Sequence, residues 1–256
     1  MLAPQPQHVV YPESDGKPMA ETDLHRQLII KAIDILQKAF PNAYVSGNIC
    51  LYYEQGNPRK MISPDVLLCC SQEPDVKRTY LAWEENAQLD LVIEFSSFST
   101  RREDHHKKKR IYEQILKVPY YVIFDPHGIY LNVWQLNHGE YAPLEPDEQG
   151  YYHLFHLNLH LAIEENNSLR FFNSEKTPLL TVGEWGIQLA EQESKRAEQE
   201  SKRAEQESKR AEQESKRAEQ ESKRAEQERK EKELALAEQK RLQNLLKAAG
   251  IDPSSA

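Results

Sequence analysis

LDLVIEF at residues 89–95, STRREDHHKKKR at 99–110 and VPYYVIFDP at 118–126 decide how this chain folds. The first and third contain near-continuous apolar runs of strand length, the pattern of strands buried on both faces. Between them, residues 102–117 read as a helix with Ile111, Ile115 and Leu116 facing inward, and Val118-Pro119 breaks it. Working outward toward the N-terminus, Leu24, Leu28, Ile29, Ala32, Ile35, Leu36, Ala39 and Phe40 recur at helical spacing. Thr22 or Asp23 supplies the cap, and Pro41 follows the end. Val45, Gly47, Ile49, Leu51 and Tyr53 alternate as one half-buried strand, EQGNPRK at 54–60 is a turn, and residues 62–69 read as a second strand. Toward the C-terminus, strands are expected at 130–136 and 141–144 around the turn NHGE, with more short strands between 150 and 172. Helix, antiparallel strands, then strand–helix–strand predicts an α/β (α+β) fold, a mixed sheet flanked by helices.

The rest of the chain differs in kind. AEQESKR occurs five times without change from Ala190 to Arg224, and a degenerate sixth copy follows. Strong helix formers fill it, and Glu stands four residues before Lys in each copy, the favourable order for support along a helix. One helix over 189–249 is predicted, roughly 90 Å long at 1.5 Å per residue, with Gly250 and Pro253 to stop it. Ala190 and Ser194 repeat at the spacing of a coiled-coil seam, but such a seam buries little. A solvated, charge-laced helix and a weak coiled coil both fit, and Leu234, Leu242, Leu245, Leu246 and Ala249 make the better stripe for a homodimer. Four segments result: an extension at 1–20, the α/β domain at 21–188, the heptad helix at 189–249 and a cap and tail at 250–256.

Charge is equally uneven. The net charge of -8 belongs entirely to the first 189 residues, because residues 190–256 hold 16 acids and 16 bases. An acidic head is poor at long-range attraction to nucleic acid, so such binding would need a local basic surface or bound metal. No run of about 18 apolar residues exists, so no membrane span is expected. The opening MLAPQPQHVVYPESDGKPM has neither a basic start nor an apolar centre, so a secretory leader is not expected either. Cys50, Cys69 and Cys70 contain no CxxC pair, which gives no disulfide framework or zinc site and suits a cytoplasmic protein.

Three features point to chemistry. Glu94 sits inside LVIEF, where an unpartnered carboxylate costs several kcal/mol, so it must meet a cation, a donor or a metal, or lie at a solvated strand end. Asp65, in Ser63-Pro64-Asp65, leads into Val66-Leu67-Leu68; Pro-Asp alone is most often a turn. Two acids beside two core strands converge if the strands pair, and converging carboxylates bind Mg²⁺. Arg101, Arg102, Lys107, Lys108, Lys109 and Arg110 form the most basic stretch of the head. It is either a solvated helix face or a source of one lysine for Glu94 and others for phosphates. His105 and His106 are adjacent, point about 100° apart on a helix and make a poor shared metal site. His25 reads as a helix-face residue without a further role. P-loop, GxGxxG, HExxH and GxSxG motifs are absent.

SPDVLLC (63–69), DLVIEFSSFST (90–100), a helix carrying Asp104, Lys108 and Tyr112, and VPYYVIFDP (118–126) together resemble the Uma-type restriction endonucleases of the PD-(D/E)xK nuclease superfamily. YPESDGKPMAETDLH at 11–25 and LLKAAGIDP at 245–253 resemble that family too. The resemblance covers residues 11–185 and the last dozen. It implies a restriction-endonuclease-like core, a helix followed by a four-stranded mixed sheet, at the centre of the 21–188 domain. Asp65 matches the Asp of the PD motif and Glu94 the second acid, which together would bind Mg²⁺ or Mn²⁺. Ser96 stands where the superfamily has its lysine, and Lys108 matches the lysine that substitutes from the next helix. Glu21 is the candidate for a further acid on the first helix. The implied reaction is metal-assisted hydrolysis of DNA, with Lys108 assisting water or phosphate and Arg101, Arg102, Lys107 and Lys109 holding nucleic acid. The segment Ser97-Phe98-Ser99 departs from the family, which usually has proline there. Two other readings compete: an inactive nuclease-like interaction protein on a long helix, and a module that grips phosphates without cutting. The nuclease needs Asp65, Glu94 and Lys108 to converge; the inactive protein needs Lys108 turned away or Glu94 fully occupied.

Overall fold

The computed structural model describes residues 9–14, 22–84, 88–98 and 100–248. In chain order the elements are α1 (Asp23–Ala39), β1 (Tyr44–Ser46), β2 (Cys50–Tyr52), β3 (Met61–Ile62), β4 (Val66–Cys69), β5 (Thr79–Leu81) and β6 (Leu91–Phe95). A π-helical segment (Glu103–Lys108) then runs into α2 (Lys109–Gln114). After it come β7 (Tyr120–Asp125), β8 (Tyr130–Asn137), β9 (Glu140–Pro143), β10 (Tyr152–Leu154), β11 (Leu159–Ile163), β12 (Leu169–Phe172) and α3 (Val182–Ala248).

The central sheet has the order β1-β4-β6-β7-β8-β9. Only β6 and β7 run parallel, and the other pairs are antiparallel. The sheet is therefore mixed, as the sequence predicts, with six strands rather than four. The apolar runs at its centre explain why. In β6, Leu91, Ile93 and Phe95 face one core and Val92 the other. Each buried aliphatic or Phe side chain contributes about 1.5–3 kcal/mol, so this strand is firmly held. On the first face lie α1 and the three-stranded sheet β10-β11-β12. On the second lie α2 and a smaller sheet, β3-β2-β5.

Two expected strands are each broken in two. The stretch from Val45 to Tyr53 divides into β1, in the central sheet, and β2, in the small one. At Gly47 an added Cβ would lie 2.1 Å from the backbone oxygen of Asp65, and Asn48 takes a left-handed φ of 52°. The chain turns there because only glycine admits so close an approach. The stretch from 62 to 69 divides into β3 and β4 at Ser63-Pro64-Asp65, where the Pro64 carbonyl accepts from the Asn48 amide. Strand β5, parallel to β2, carries no clear alternation and adds to the expected set.

The helix after β6 also differs. It closes at Gln114 rather than 117, and Ile115 is 52 % exposed instead of facing inward. Tyr112 takes that inward place beside Ile111. The π-helical bonds, such as Lys109 N–H to the Asp104 carbonyl, insert a residue into the turn and rotate the remainder of the helix about its axis. Helix α1 is capped by Thr22, whose hydroxyl accepts from the His25 amide. Glu21 lies outside the described residues.

The chain divides into two units, Met1–Ile187 and Gln188–Ala256. Helix α3 begins seven residues before the expected start, because Thr181 and Glu184 form a reciprocal cap at its N-terminus. Along the second unit the Glu-to-Lys pairs form as the repeat implies, for example Glu198 with Lys202 at 2.6 Å. They are exposed, so each contributes a few tenths of a kcal/mol. Ala249 and the residues after it lie outside the described ones, and the side chain of Leu246 is not described.

Candidate active site

Strand pairing brings the two acids together. In the antiparallel pair β4–β6, Val66 stands opposite Ile93, so the next step of the register sets Asp65 opposite Glu94. Asp65 has just left β4, and its carboxylate does what a backbone carbonyl would have done: Oδ2 accepts from the Phe95 amide at 2.7 Å. The same oxygen lies 3.1 Å from His25 Nε2, which α1 presents from its first turn. Both contacts fall on Oδ2.

Glu94 alternates with Ile93 and Phe95 and so turns toward the helix after β6. It is 0 % exposed. Lys108 Nζ donates to Oε2 at 2.7 Å, and the Tyr112 hydroxyl donates to Oε1 at 2.9 Å. Lys108 also donates to the Ser63 carbonyl at 3.2 Å and lies 3.5 Å from Asp104 Oδ1. Asp104, Lys108 and Tyr112 are spaced four apart, and the π-helical segment keeps all three buried or nearly so. The Asp104 carbonyl that opens its turn is also gripped by the Tyr121 hydroxyl.

Electrostatics follow from this burial. Removal from water pushes Glu94 up to about 8; the Lys108 ammonium opposes that, while Asp65 and Asp104 add to it. Burial alone would lower Lys108, but Glu94, Asp65 and Asp104 outweigh it and hold the ammonium above the usual lysine range. Desolvation, and after it the neighbouring Glu94, push Tyr112 far up, so it is a hydrogen-bond donor at every ordinary pH. Glu94 and Asp104 thus both contact one ammonium, and Asp65 adds to the negative field around it.

The donor chemistry suits a hard divalent cation. Each carboxylate oxygen has two lone-pair sites, so Glu94 can accept from Lys108 and still serve as a ligand. Among the described residues no three His, Cys, Asp or Glu side chains already stand together at ligand spacing. An ion here would complete its shell with water, as Mg²⁺ does. The Ser96 hydroxyl, two residues beyond Glu94 and 1 % exposed, has no hydrogen-bond partner among the described residues. It is a buried polar atom available to such water.

The other basic residues divide. Arg101 is committed to Asp125 at the end of β7 and covers the Tyr130 ring at 5.2 Å. Burial alone would raise Asp125; the Gly128 amide, Arg101 and the His127 amide together hold its carboxyl below the usual range. Lys107 pairs with Glu103 at 2.7 Å, Lys109 lies 4.3 Å over Trp134, and Arg102 is exposed. His105 meets Tyr130 and Trp134 rather than His106, and burial lowers it below the usual imidazole range.

Sequence patterns pass over His25, which no local signal separates from other helix-face histidines. Asp104 and Tyr112 are visible there only as part of the spaced set 104, 108 and 112.

The model of the Uma2 family, described as "Putative restriction endonuclease", matches residues 2–164, more than half of the chain. The chain belongs to that family. No curated protein matches it. No helix among the described residues is long and apolar enough to cross a membrane.

Proposed function

We propose, with membership of the Uma2 family as the premise, that this chain is a divalent-metal-dependent endonuclease that hydrolyses phosphodiester bonds in DNA. The observation that carries the reading is the 2.7 Å contact between Lys108 and Glu94, made beside the Asp65 carboxylate. Asp65 and Glu94 are the residues that would hold Mg²⁺ or Mn²⁺. Such an ion supplies polarisation of the phosphate and a more acidic water. The chain's own part is positional. Tyr112 fixes one oxygen of Glu94, and the Phe95 amide and His25 fix Asp65. Lys108 keeps its proton and presents a positive charge where negative charge grows on the phosphate. Arg102, Lys107 and Lys109 offer contacts to backbone phosphates that carry no sequence information. Two copies associating through the leucines near the end of α3 would supply one such site per strand.

The test is cleavage of plasmid and oligonucleotides with Mg²⁺ or Mn²⁺ by the wild type and by Asp65→Asn, Glu94→Gln and Lys108→Ala. Metal-dependent cutting that disappears in all three supports the reading. No cutting of duplex, single-stranded DNA or RNA, with no Mg²⁺ uptake by calorimetry, refutes it. One observation favours a second reading: both Glu94 oxygens already have donors, Lys108 and Tyr112. That is the state of an inactive, structural ion pair, and the calorimetry separates the two.

A further inference from the structure

Where the chain leaves β6 toward the π-helical segment and enters β8, a groove of about 580 Å³ opens. That volume falls in the range of about 300–1,000 Å³ for sites that take small organic groups. Phe98, Arg102, His106, Tyr130 and Asn132 are among its walls. Phe98 follows Glu94 by four residues and is 94 % exposed, and among the described residues no ring packs on it. One face of Tyr130 is already covered by Arg101. Asn132 shares the face of β8 that carries Tyr130 and Trp134 and is half-buried. Next to this groove, Arg102, His106 and Lys107 border a second hollow of about 640 Å³, with Glu103 as its one carboxylate.

An open aromatic face, an amide able to donate and accept, and the cationic Arg102 and Lys107 one step away are different tools. The ring stacks on a base, the amide reads a base edge, and the cations hold the sugar–phosphate chain. A base in an intact duplex has both faces in the stack, so it offers nothing to the ring, and only its groove edge to the amide. An unpaired nucleotide offers a free face, a free pairing edge and its phosphate.

We propose that this groove binds an unpaired nucleotide of DNA, stacked on Phe98, and that the substrate of Asp65 and Glu94 is a single-stranded or locally opened strand. The inference rests on the nuclease reading for what happens to the strand, but not for its binding. The placement agrees with the charge: on an acidic head, stacking supplies affinity that long-range attraction does not.

The test is fluorescence anisotropy of the full chain in EDTA, where no cleavage occurs. The probes are a labelled 20-mer DNA single strand, its blunt duplex and the RNA of the same sequence. The single strand is expected to bind at least ten-fold more tightly than the duplex. Phe98→Ala should weaken single-strand binding roughly 5- to 150-fold, the worth of one base stack, and leave duplex binding unchanged. Phe98→Trp should restore it. Phe98 is exposed, so both variants should keep the wild-type melting temperature, measured in parallel. Equal binding of single strand and duplex, or no effect of Phe98→Ala, overturns the proposal, and tighter binding of RNA overturns DNA as the ligand. Cleavage assays fail or succeed separately: strand binding without Asp65-dependent cutting sinks only the nuclease reading.

Discussion

Replacing Lys108 by methionine removes a charge but keeps a stem of similar length in a place where the lysine side chain is only 15 % exposed. Its effect on stability should depend on pH in a way that reports Glu94. In the wild type, Glu94 rises from its ordinary 4.5 to about 8 on folding, chiefly because it is buried. A carboxyl raised on folding holds more protons in the native state than in the unfolded one. Its contribution to stability is therefore complete below 4.5 and is lost as pH climbs to about 8, by at most about 5 kcal/mol. Above that the curve flattens, because native Glu94 is ionised and Lys108 balances it. Without Lys108 the native value moves still higher, so stability keeps falling. Near pH 6 the variant lacks one strong hydrogen bond, about 1–3 kcal/mol. Above pH 9 it must bury an unpaired charge, about 3–5 kcal/mol. Urea denaturation of both proteins from pH 5 to 9.5 measures the difference, and groups that titrate alike in both cancel. Curves that diverge above pH 8 are expected. Parallel curves, or a difference that grows toward acid, would refute the argument that Lys108 restrains a buried, raised Glu94.

Tyr112→Phe should cost about 1–3 kcal/mol, because a fully buried Glu94 oxygen loses its donor; denaturation measures the loss, and cleavage should fall with it as Glu94 loosens. Gly47→Ala should lower the melting temperature, since its new methyl would meet the Asp65 backbone oxygen at 2.1 Å. Overpacking of that kind costs about 1–3 kcal/mol or more, and moving Asp65 should weaken Mg²⁺ uptake by calorimetry. Sedimentation should show a dimer whose dissociation constant rises when Leu242 and Leu245, 56 % and 58 % exposed in the single chain, become serine; a monomer at every concentration would exclude association through α3.

Much of the site was legible because its signals are local. An acid inside LVIEF has to find a partner, and a basic helix directly follows that strand. The pairing of Lys108 with Glu94 is thus a short-range event, fourteen residues apart along the chain. The heptad helix was legible for the same reason, since propensity and i,i+4 spacing suffice along an exposed helix. What misled was also local. Alternation from Val45 to Tyr53 reads as one strand, because alternation says nothing about a backbone oxygen arriving at Gly47 from Asp65.

By itself, then, the sequence determined the central apolar strands, the helices on either side, the long charged tail and an acid in a buried strand followed by a basic helix, while the family resemblance singled out Lys108 among its lysines. Burial and periodicity act on neighbours in the chain, so they can be read there. Only the tertiary structure decided that β4 and β6 pair in the register that faces Asp65 with Glu94. It decided that His25 reaches Asp65 from α1, and that a π-helical turn carries Asp104, Lys108 and Tyr112 inward while exposing Ile115. Register, close approach and the phase of a helix are set by steric fit between segments that meet only in the folded chain, and no pattern within one segment records them.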